Sequence, residues 1–422
     1  MIKPIKYIFG DKALIKDNLT LFVSTLILNI FAYIFHILVG RVLGPNDYGI
    51  FGSLFALIYI VVIPLFTIQT GIAKFVSEFK VKKEPGKIAY LFSRSLKKMF
   101  IYGLIFTTIF LVLSPLIGRF LKIDNIAIII ILAPFFFFAL LLHVEKGVLQ
   151  GLQDFKMLGF NMMSEGLLKL LFGALFLFLG FRVGGAMFAF VLSYAIPFFI
   201  FLYLMKELLK TKQESFDTKK VYSFSIPVLL ILISLTAFYT LDVLLVKHLF
   251  DSVSAGHYAA LALLGKVILF GSVSIPMVMF PKVSESHARK ENHKHLLYRS
   301  SLFVLAFGSA VTLFYFLFPE FAIRLLFGEQ YLDIANLLGL YGIIMTIFSL
   351  IYVISFYKMS IDNTNFLYLL VLFNIMEIIL IYVFHDSLLK VIQILLALMA
   401  VLFLFLAPTY KNEIVYNNSG IQ

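Results

Sequence analysis

The chain has 422 residues, of which 61% are hydrophobic and 14% charged, and a mean hydropathy of +1.00. A soluble domain of this length would carry about 25% charge. At least ten or so apolar runs reach about 18 residues, enough to cross a bilayer core of about 30 Å, so the chain reads as an all-α polytopic membrane protein. A β-barrel is excluded, because its strands would be about 10 residues long and would alternate polar with apolar. With no cysteine there is no disulfide framework, thiol chemistry or iron–sulfur site. The net charge of +12 would suit nucleic acid, but the placement of the charges argues against that partner.

The lysine-bearing start leads into an apolar run from Leu19. That run is about 20 residues long, too long for a signal peptide, and no small-residue cleavage site follows it. It is expected to be a retained first helix. Hydropathy then predicts about twelve spans, at about 19–39, 50–70, 99–117, 126–147, 160–180, 183–205, 224–246, 256–280, 299–318, 333–356, 365–384 and 388–408. With this topology Arg41, Arg119, Lys122, Arg182, Lys247, Arg324 and Lys390 fall on one side. Lys169 and Lys266 fall within spans, and the remaining lysines and arginines, Lys146 among them, fall on the other side. So strong a bias puts both termini in the cytoplasm of a multi-pass protein of the cytoplasmic membrane, and it explains the basic pI through membrane lipid.

The outward loops are short, and no folded domain is expected there. Of the inward segments, 71–98 opens as an amphipathic helix, with Phe75, Val76 and Phe79 opposite Lys74, Glu78 and Lys82. It should lie along the cytoplasmic interface. Residues 206–222 are polar and basic at the centre of the chain, and they are the expected linker between two six-helix bundles, 1–205 and 223–422. Pro64, Pro134, Pro197, Pro227 and Pro276 fall within or near spans, either as packing kinks or as hinges.

An internal repeat supports two halves. Gly44-Pro45-Asn46-Asp47 and then Tyr48 open an apolar run that contains Pro64 and ends at Val76-Ser77-Glu78. Asp251 to Gly256, Tyr258, Pro276 and Val283-Ser284-Glu285 repeat that order. The two Val-Ser-Glu triplets are about 207 residues apart. The repeat gives Tyr48 and Tyr258 equivalent outer positions, where a gate between the halves is expected.

Four blocks, in order, resemble the polysaccharide transporter (O-antigen flippase-like) family of the multidrug, oligosaccharidyl-lipid and polysaccharide exporter superfamily. The first is Gly40–Gly49 (GRVLGPNDYG) with Gly71–Phe79 (GIAKFVSEF). Leu149–Gln153 (LQGLQ) follows, ahead of a span carrying Glu165 and Lys169. The third is Tyr239–Asp242 (YTLD), and the fourth runs from Phe318 (FPE) to Tyr331 (FGEQY). The resemblance covers about 15–365. It implies two bundles of six helices around a central cavity that opens alternately to either side. It also implies a lipid-diphosphate-linked saccharide as the translocated partner.

Ionisable groups within a membrane are costly and tend to face polar cavities. Lys266 and Lys169 each lie about 15 Å into a span, one from each half. A diphosphate crossing a low-dielectric cavity would need such cations. Arg41, near the outer end of the first span, is a third cavity cation, with anchoring at headgroups as the simpler role. For Lys169 the competing role is an i,i+4 pair with Glu165. Glu165, Asp242 and Glu377, the last one turn from Asn374, are candidates for a coupling cation or proton, or for interhelical charge pairs. Tyr33, Tyr59, Tyr239 and Tyr258 could stack on sugar rings or pack the core. His287, His293 and His295 sit in a basic loop and read as solvated rather than metal-binding.

No nucleotide loop, nucleophile elbow or HExxH is present, and no cofactor or catalytic residue is expected. The leading expectation is a monomeric flippase for lipid-linked oligosaccharide. A cation-coupled multidrug exporter of the same superfamily remains open, as does a polytopic polysaccharide polymerase or ligase. Short outer loops weigh against the enzyme, and midplane lysines weigh against an exporter of cations.

Overall fold

The computed structural model describes residues 12–216 and 226–410. Both termini and residues 217–222 of the expected linker lie outside the described residues. Among the described residues nine helices are long and apolar enough to cross a membrane, or ten when the bent pair Pro227–Ala237 and Leu241–Leu249 counts as one span. The first of the nine, Val23–Val81, turns at Gly44, and Leu367–Val383 is a shorter apolar helix. Each of the about twelve expected spans thus finds its helix.

The turn at Gly44 has a local cause. Its φ of 72° and ψ of 174° suit glycine. Pro45 follows, disfavouring helical geometry before itself and fitting the first turn of the next helix. Two helices result, α1 (12–43) and α2 (45–81). Pro64 lies inside α2 without ending it. Pro134 instead starts a helix, where a missing N–H costs nothing.

The helices gather into two compact units, Met1–Leu43 with Val61–Ser225, and Gly44–Ile60 with Ile226–Gln422. This partition assigns 44–60 to the second unit. The reason lies in small residues. A Cβ on Gly49 would stand 2.8 Å from the Gly256 nitrogen, and one on Gly52 would stand 2.6 Å from the Ala259 Cβ. Only bare backbone lets the start of α2 settle this closely on its neighbour. Tyr48 and Tyr258, expected at a gate between halves, are both buried in the second unit.

In the first unit α3 (Pro85–Phe120), α4 (Pro134–Gly151), α5 (Phe155–Phe178) and α6 (Arg182–Leu204) join α1 and the end of α2. Gly159, Gly166 and Gly173 form a seven-residue stripe on α5. It receives Ser24, then Leu28 and Phe31, then Phe35 of α1. Gly147 and Gly151 of α4 likewise admit Ile72 and Val76 of α2. The opening of 71–98, expected as an amphipathic interfacial helix, thus makes helix–helix contacts. Ile72 and Val76 are buried against α4, and Phe79 is buried against the Phe216 ring. Gln69 Nε2 donates to Gln150 Oε1 at 2.9 Å, and Lys80 Nζ donates to the Leu152 carbonyl at 2.5 Å, a cation at a helix C-terminus. The described part of the linker is tied to this unit. After the short helix Lys206–Lys210, the Glu214 amide donates to the Gly86 carbonyl at 3.0 Å, and the Phe216 ring packs edge-on to Phe79 and Tyr90.

The second unit contains α7 (Ile226–Ala237), α8 (Leu241–Leu249), α9 (Ser252–Ser272), α10 (Ser274–Ala288), α11 (Lys294–Leu317), α12 (Ala335–Ser360), α13 (Leu367–Val383) and α14 (Leu388–Leu406). The longest-buried of these is α12, which packs on α9, α10, α11 and α14. Gly265 on α9 faces the Tyr341 ring and Gly342 on α12 faces Thr312, so the three helices α9, α11 and α12 close tightly. The loop before α12 folds over the elbow at Gly44. Tyr48 meets the rings of Phe327 and Tyr331, and the His257 ring nitrogen donates to the Gln330 carbonyl at 3.0 Å.

Candidate functional site

Each unit carries a buried ionisable cluster. In the second unit it is organised by the break between α7 and α8. The helices bend by 42° there. Tyr239 and Thr240 amides fall back on i−3 carbonyls, and the Thr240 hydroxyl donates to the Thr236 carbonyl at 2.9 Å, satisfying backbone freed by the break. Asp242 follows in the first turn of α8, with no exposed surface. Its Oδ2 accepts from Tyr258 of α9 at 2.8 Å and from Tyr341 of α12 at 2.9 Å. Its Oδ1 accepts from the Val243 amide at 2.8 Å. Three helices are therefore joined at one carboxyl group.

Lys266, on α9 two turns beyond Tyr258, is buried with its Nζ 4.9 Å from the Tyr59 ring centre and 5.3 Å from that of Tyr239. An ammonium between two ring faces is held by their quadrupoles, and its field also acts on Asp242. Glu377 on α13 has no exposed surface, and neither of its oxygens has a hydrogen-bond partner among the described residues. It interacts electrostatically with Asp242. One turn away, Asn374 donates to the Ser234 and Leu370 carbonyls at 3.1 and 2.9 Å, and its own oxygen has no partner among the described residues. Two buried carboxyl groups thus act on each other, and one of them, Asp242, also feels the Lys266 amine. Such a set can take up a proton or a small cation, and it can meet an anion through the amine.

In the first unit Glu165 of α5 is bridged by Lys146 of α4 at 2.5 Å. Tyr194 of α6 also hydrogen-bonds to Glu165. Lys169 lies one turn along α5, its Nζ 5.1 Å from the Phe190 ring centre. Glu165 takes its salt bridge from Lys146 of the neighbouring helix, while Lys169, whose competing role was an i,i+4 pair with it, still acts on it electrostatically. Lys169 remains a cation over an aromatic face. Arg41 is exposed near the end of α1.

Several members were missed in the sequence. Lys146 was grouped with the inward connecting segments but is buried, as are His143 and Glu145 beside it. Their signal was present, since three ionisable residues sit at the end of a predicted span. His143 Nδ1 donates to the Ala139 carbonyl at 2.8 Å. Asn161, one turn before Glu165, is fully buried with neither side-chain polar atom partnered among the described residues. Tyr341 carried no signal beyond being a tyrosine in a span. His293, expected to be solvated, is buried between His287 at 3.3 Å and the Tyr357 hydroxyl at 2.9 Å. Among the described residues no group of three or more metal-ligating side chains gathers.

Against this geometry stand the comparisons with known proteins. A family model described as polysaccharide biosynthesis protein matches residues 38–336. No curated protein sequence matches. Among solved structures the chain is similar to an inward-facing multidrug resistance MATE family transporter of the MOP superfamily. The TM-score is 0.76 at 15% identity, over 91% of this chain and 94% of that one. It is similar to the lipid II flippase MurJ in an inward closed conformation, with a TM-score of 0.72 at 15% identity, over 93% and 87%. A MOP superfamily transporter from Pyrococcus furiosus, described by the reverse polarity of its binding pocket, gives 0.62 at 18% identity, over 97% and 98%. At these identities the likeness is one of fold, and the MATE and MurJ neighbours have a 12-helix, two-lobed architecture. The chain is a multi-pass membrane protein of the polysaccharide biosynthesis protein family, with the fold of the MOP-superfamily transporters and flippases.

Proposed function

We propose that this protein is a flippase that moves a lipid-diphosphate-linked saccharide from the cytoplasmic to the outer leaflet by alternating access. In this reading the protein sits in the cytoplasmic membrane with both termini inside. The observation that carries the substrate class is the pairing of cation with aromatic faces in each unit, Lys266 with Tyr59 and Tyr239, and Lys169 with Phe190. An ammonium answers a diphosphate, and ring faces answer sugar C–H surfaces and the lipid-proximal apolar region. Arg41, exposed at the end of α1, serves at the headgroup level. Asp242 and Glu377 take the coupling proton or cation, since a doubly ionised acid pair against one lysine would leave uncompensated buried charge. When that charge changes, the tyrosines that tie α8 to α9 and α12 lose or regain an anionic acceptor. This gives the broken helix two arrangements.

The test is complementation in a strain lacking its own flippases. Lys266→Ala should insert and accumulate but lose export, and Lys266→Arg should keep part of it because charge is retained while geometry changes. Normal export by Lys266→Ala would remove the diphosphate role. The unpaired acid Glu377 favours a second reading, a cation-coupled multidrug exporter. Efflux of a cationic dye that depends on Glu377, without any saccharide export, would favour that reading instead.

A further inference from the structure

We infer that Glu145 is the counter-charge switch of the first unit, neutral while the Lys146 and Lys169 amines hold an anionic diphosphate and ionised when the anion leaves. This rests on the flippase reading above and assigns the first unit a proton-linked role there.

Glu145 sits on α4 with no exposed surface, and neither oxygen has a hydrogen-bond partner among the described residues. An ionised carboxylate so placed would forfeit its hydration with no donor among the described residues to offset it. The neighbouring amine does not serve it, because Lys146 Nζ is committed to Glu165 across the helix interface. Helices α2, α3, α5 and α6 surround α4. Glu165 and Lys169 of α5 and Tyr194 of α6 belong to the Lys146 end of the cluster. His143, on α4 itself, is turned to the Ala139 carbonyl. On α2 and α3 the charged side chains from Lys74 to Lys98 do not act on Glu145, and Lys146 is the charged group that does.

The charge balance then decides the behaviour. With Glu145 neutral, two ammonium groups face one carboxylate, and the cluster carries one net positive charge that suits an anion. When Glu145 gives up its proton, the O–H electron pair stays on the carboxylate and the proton passes to water. The cluster becomes neutral, the field of Lys146 is offset by a second carboxylate, and the anion loses its hold. Protonation favours anion binding, so affinity must fall as pH rises.

The experiment uses the full chain in lipid bilayers, with inorganic pyrophosphate as the probe. Across the pH range in which the buried carboxyl ionises, wild type should lose affinity more steeply than Glu145→Gln as pH rises, by up to about tenfold per pH unit for one linked proton. Comparing the two proteins cancels the probe's own titration. The infrared carbonyl band of a protonated carboxyl should vanish in Glu145→Gln and shift in Glu145→Asp, which keeps the acid if the amide variant fails to fold. Binding that Lys169→Ala weakens, with the same pH dependence in wild type and Glu145→Gln and no change in the band, overturns the switch and leaves the flippase reading standing. Absence of pyrophosphate binding by wild type overturns the anion-binding reading and this one with it.

Discussion

Gly49 of α2 and Gly256 of α9 pack backbone against backbone, and they are separated in sequence by the same interval as the two Val-Ser-Glu triplets. A Cβ on Gly256 would stand 1.6 Å from the Pro45 carbonyl oxygen. One turn on, Gly52 meets Ala259 at that interval again. Positions equivalent under the repeat therefore meet each other, in register, along two helices that run the same way. An internal repeat read as two separate halves thus contributes its matching helices to one compact unit.

Gly256→Ala should be poorly tolerated, because the obstacle is a backbone oxygen that cannot rotate aside. A loss of about 3 kcal/mol, the upper range for overpacking, should appear as lower accumulation and a lower Tm in detergent. Gly184→Ala is the control. The nearest atom to its new methyl would be an Ile131 carbon at 3.7 Å, an ordinary contact, and its Tm should match wild type.

Lys146→Met should cost about 3 kcal/mol, the low end for a broken buried pair, because Glu165 loses its salt bridge but keeps Tyr194 and the field of Lys169. Lys146→Met combined with Glu165→Gln should recover part of that loss, since the stranded carboxylate is gone while the buried Lys169 ammonium stays. Thermal unfolding of the single and double variants separates the two. A double variant no more stable than Lys146→Met would show that Lys146 stabilises by packing alone.

The hydropathy pattern made the span count and the helical class legible, because twenty apolar residues admit few alternatives in a bilayer. Lys266, Lys169, Asp242 and Glu377 were legible for the same reason, as charges where none is affordable. What stayed hidden depends on which helices touch. Glu165 looked paired with Lys169 by spacing, but the stripe of small residues that seats α4 on α2, and the pairing of α4 with α5, bring Lys146 in instead. The amphipathic start of 71–98 had the right pattern for a headgroup surface. Periodicity cannot tell lipid headgroups from the flank of another helix, and here the flank is α4.

Tyr341→Phe removes one of the two phenolic donors to the buried Asp242. Loss of a hydrogen bond to a charged group costs about 1.5–3 kcal/mol. The Tyr258→Phe change should cost a similar amount, and the double variant should cost less than twice as much, because an acid stripped of both donors can stay neutral. Strict additivity in thermal unfolding would mean that Asp242 keeps one protonation state throughout.

Asp251 caps α9 from outside the spans. Its Oδ2 accepts from the Ser254 hydroxyl at 2.6 Å, and its Oδ1 from the Val253 and Ser254 amides at 2.9 and 3.0 Å. The Ser254 hydroxyl first, then these amides, hold its carboxyl below the usual value of 3.8. A carboxyl with a lowered folded value stabilises above its unfolded value and loses that contribution as pH falls through the folded one. Wild type should exceed Asp251→Ala by about 1 kcal/mol near neutral pH. The margin should hold down to about pH 4 and shrink below it. A margin that grows on acidification would reverse the sign and reject the cap.

The closeness of α2 and α9 sets what a crosslink there can report. A Cβ at position 52 would already lie 2.6 Å from that of Ala259, inside the separation of about 3.5–4.5 Å that disulfides bridge, so a small outward shift accommodates the bond. Both positions belong to the second unit. If transport moves compact units as bodies, contacts inside one unit persist through the cycle. Gly52→Cys with Ala259→Cys should therefore oxidise to the same extent with and without substrate, and export should continue. The chain has no native cysteine, so nothing competes. The expectation drawn from the repeat alone was a gate near Tyr48 and Tyr258, closed in one transport state only. These two readings differ in one measurement. State-dependent crosslinking that stops export would mean that the start of α2 leaves the second unit during the cycle, and that the elbow at Gly44 is a moving part rather than a fixed corner.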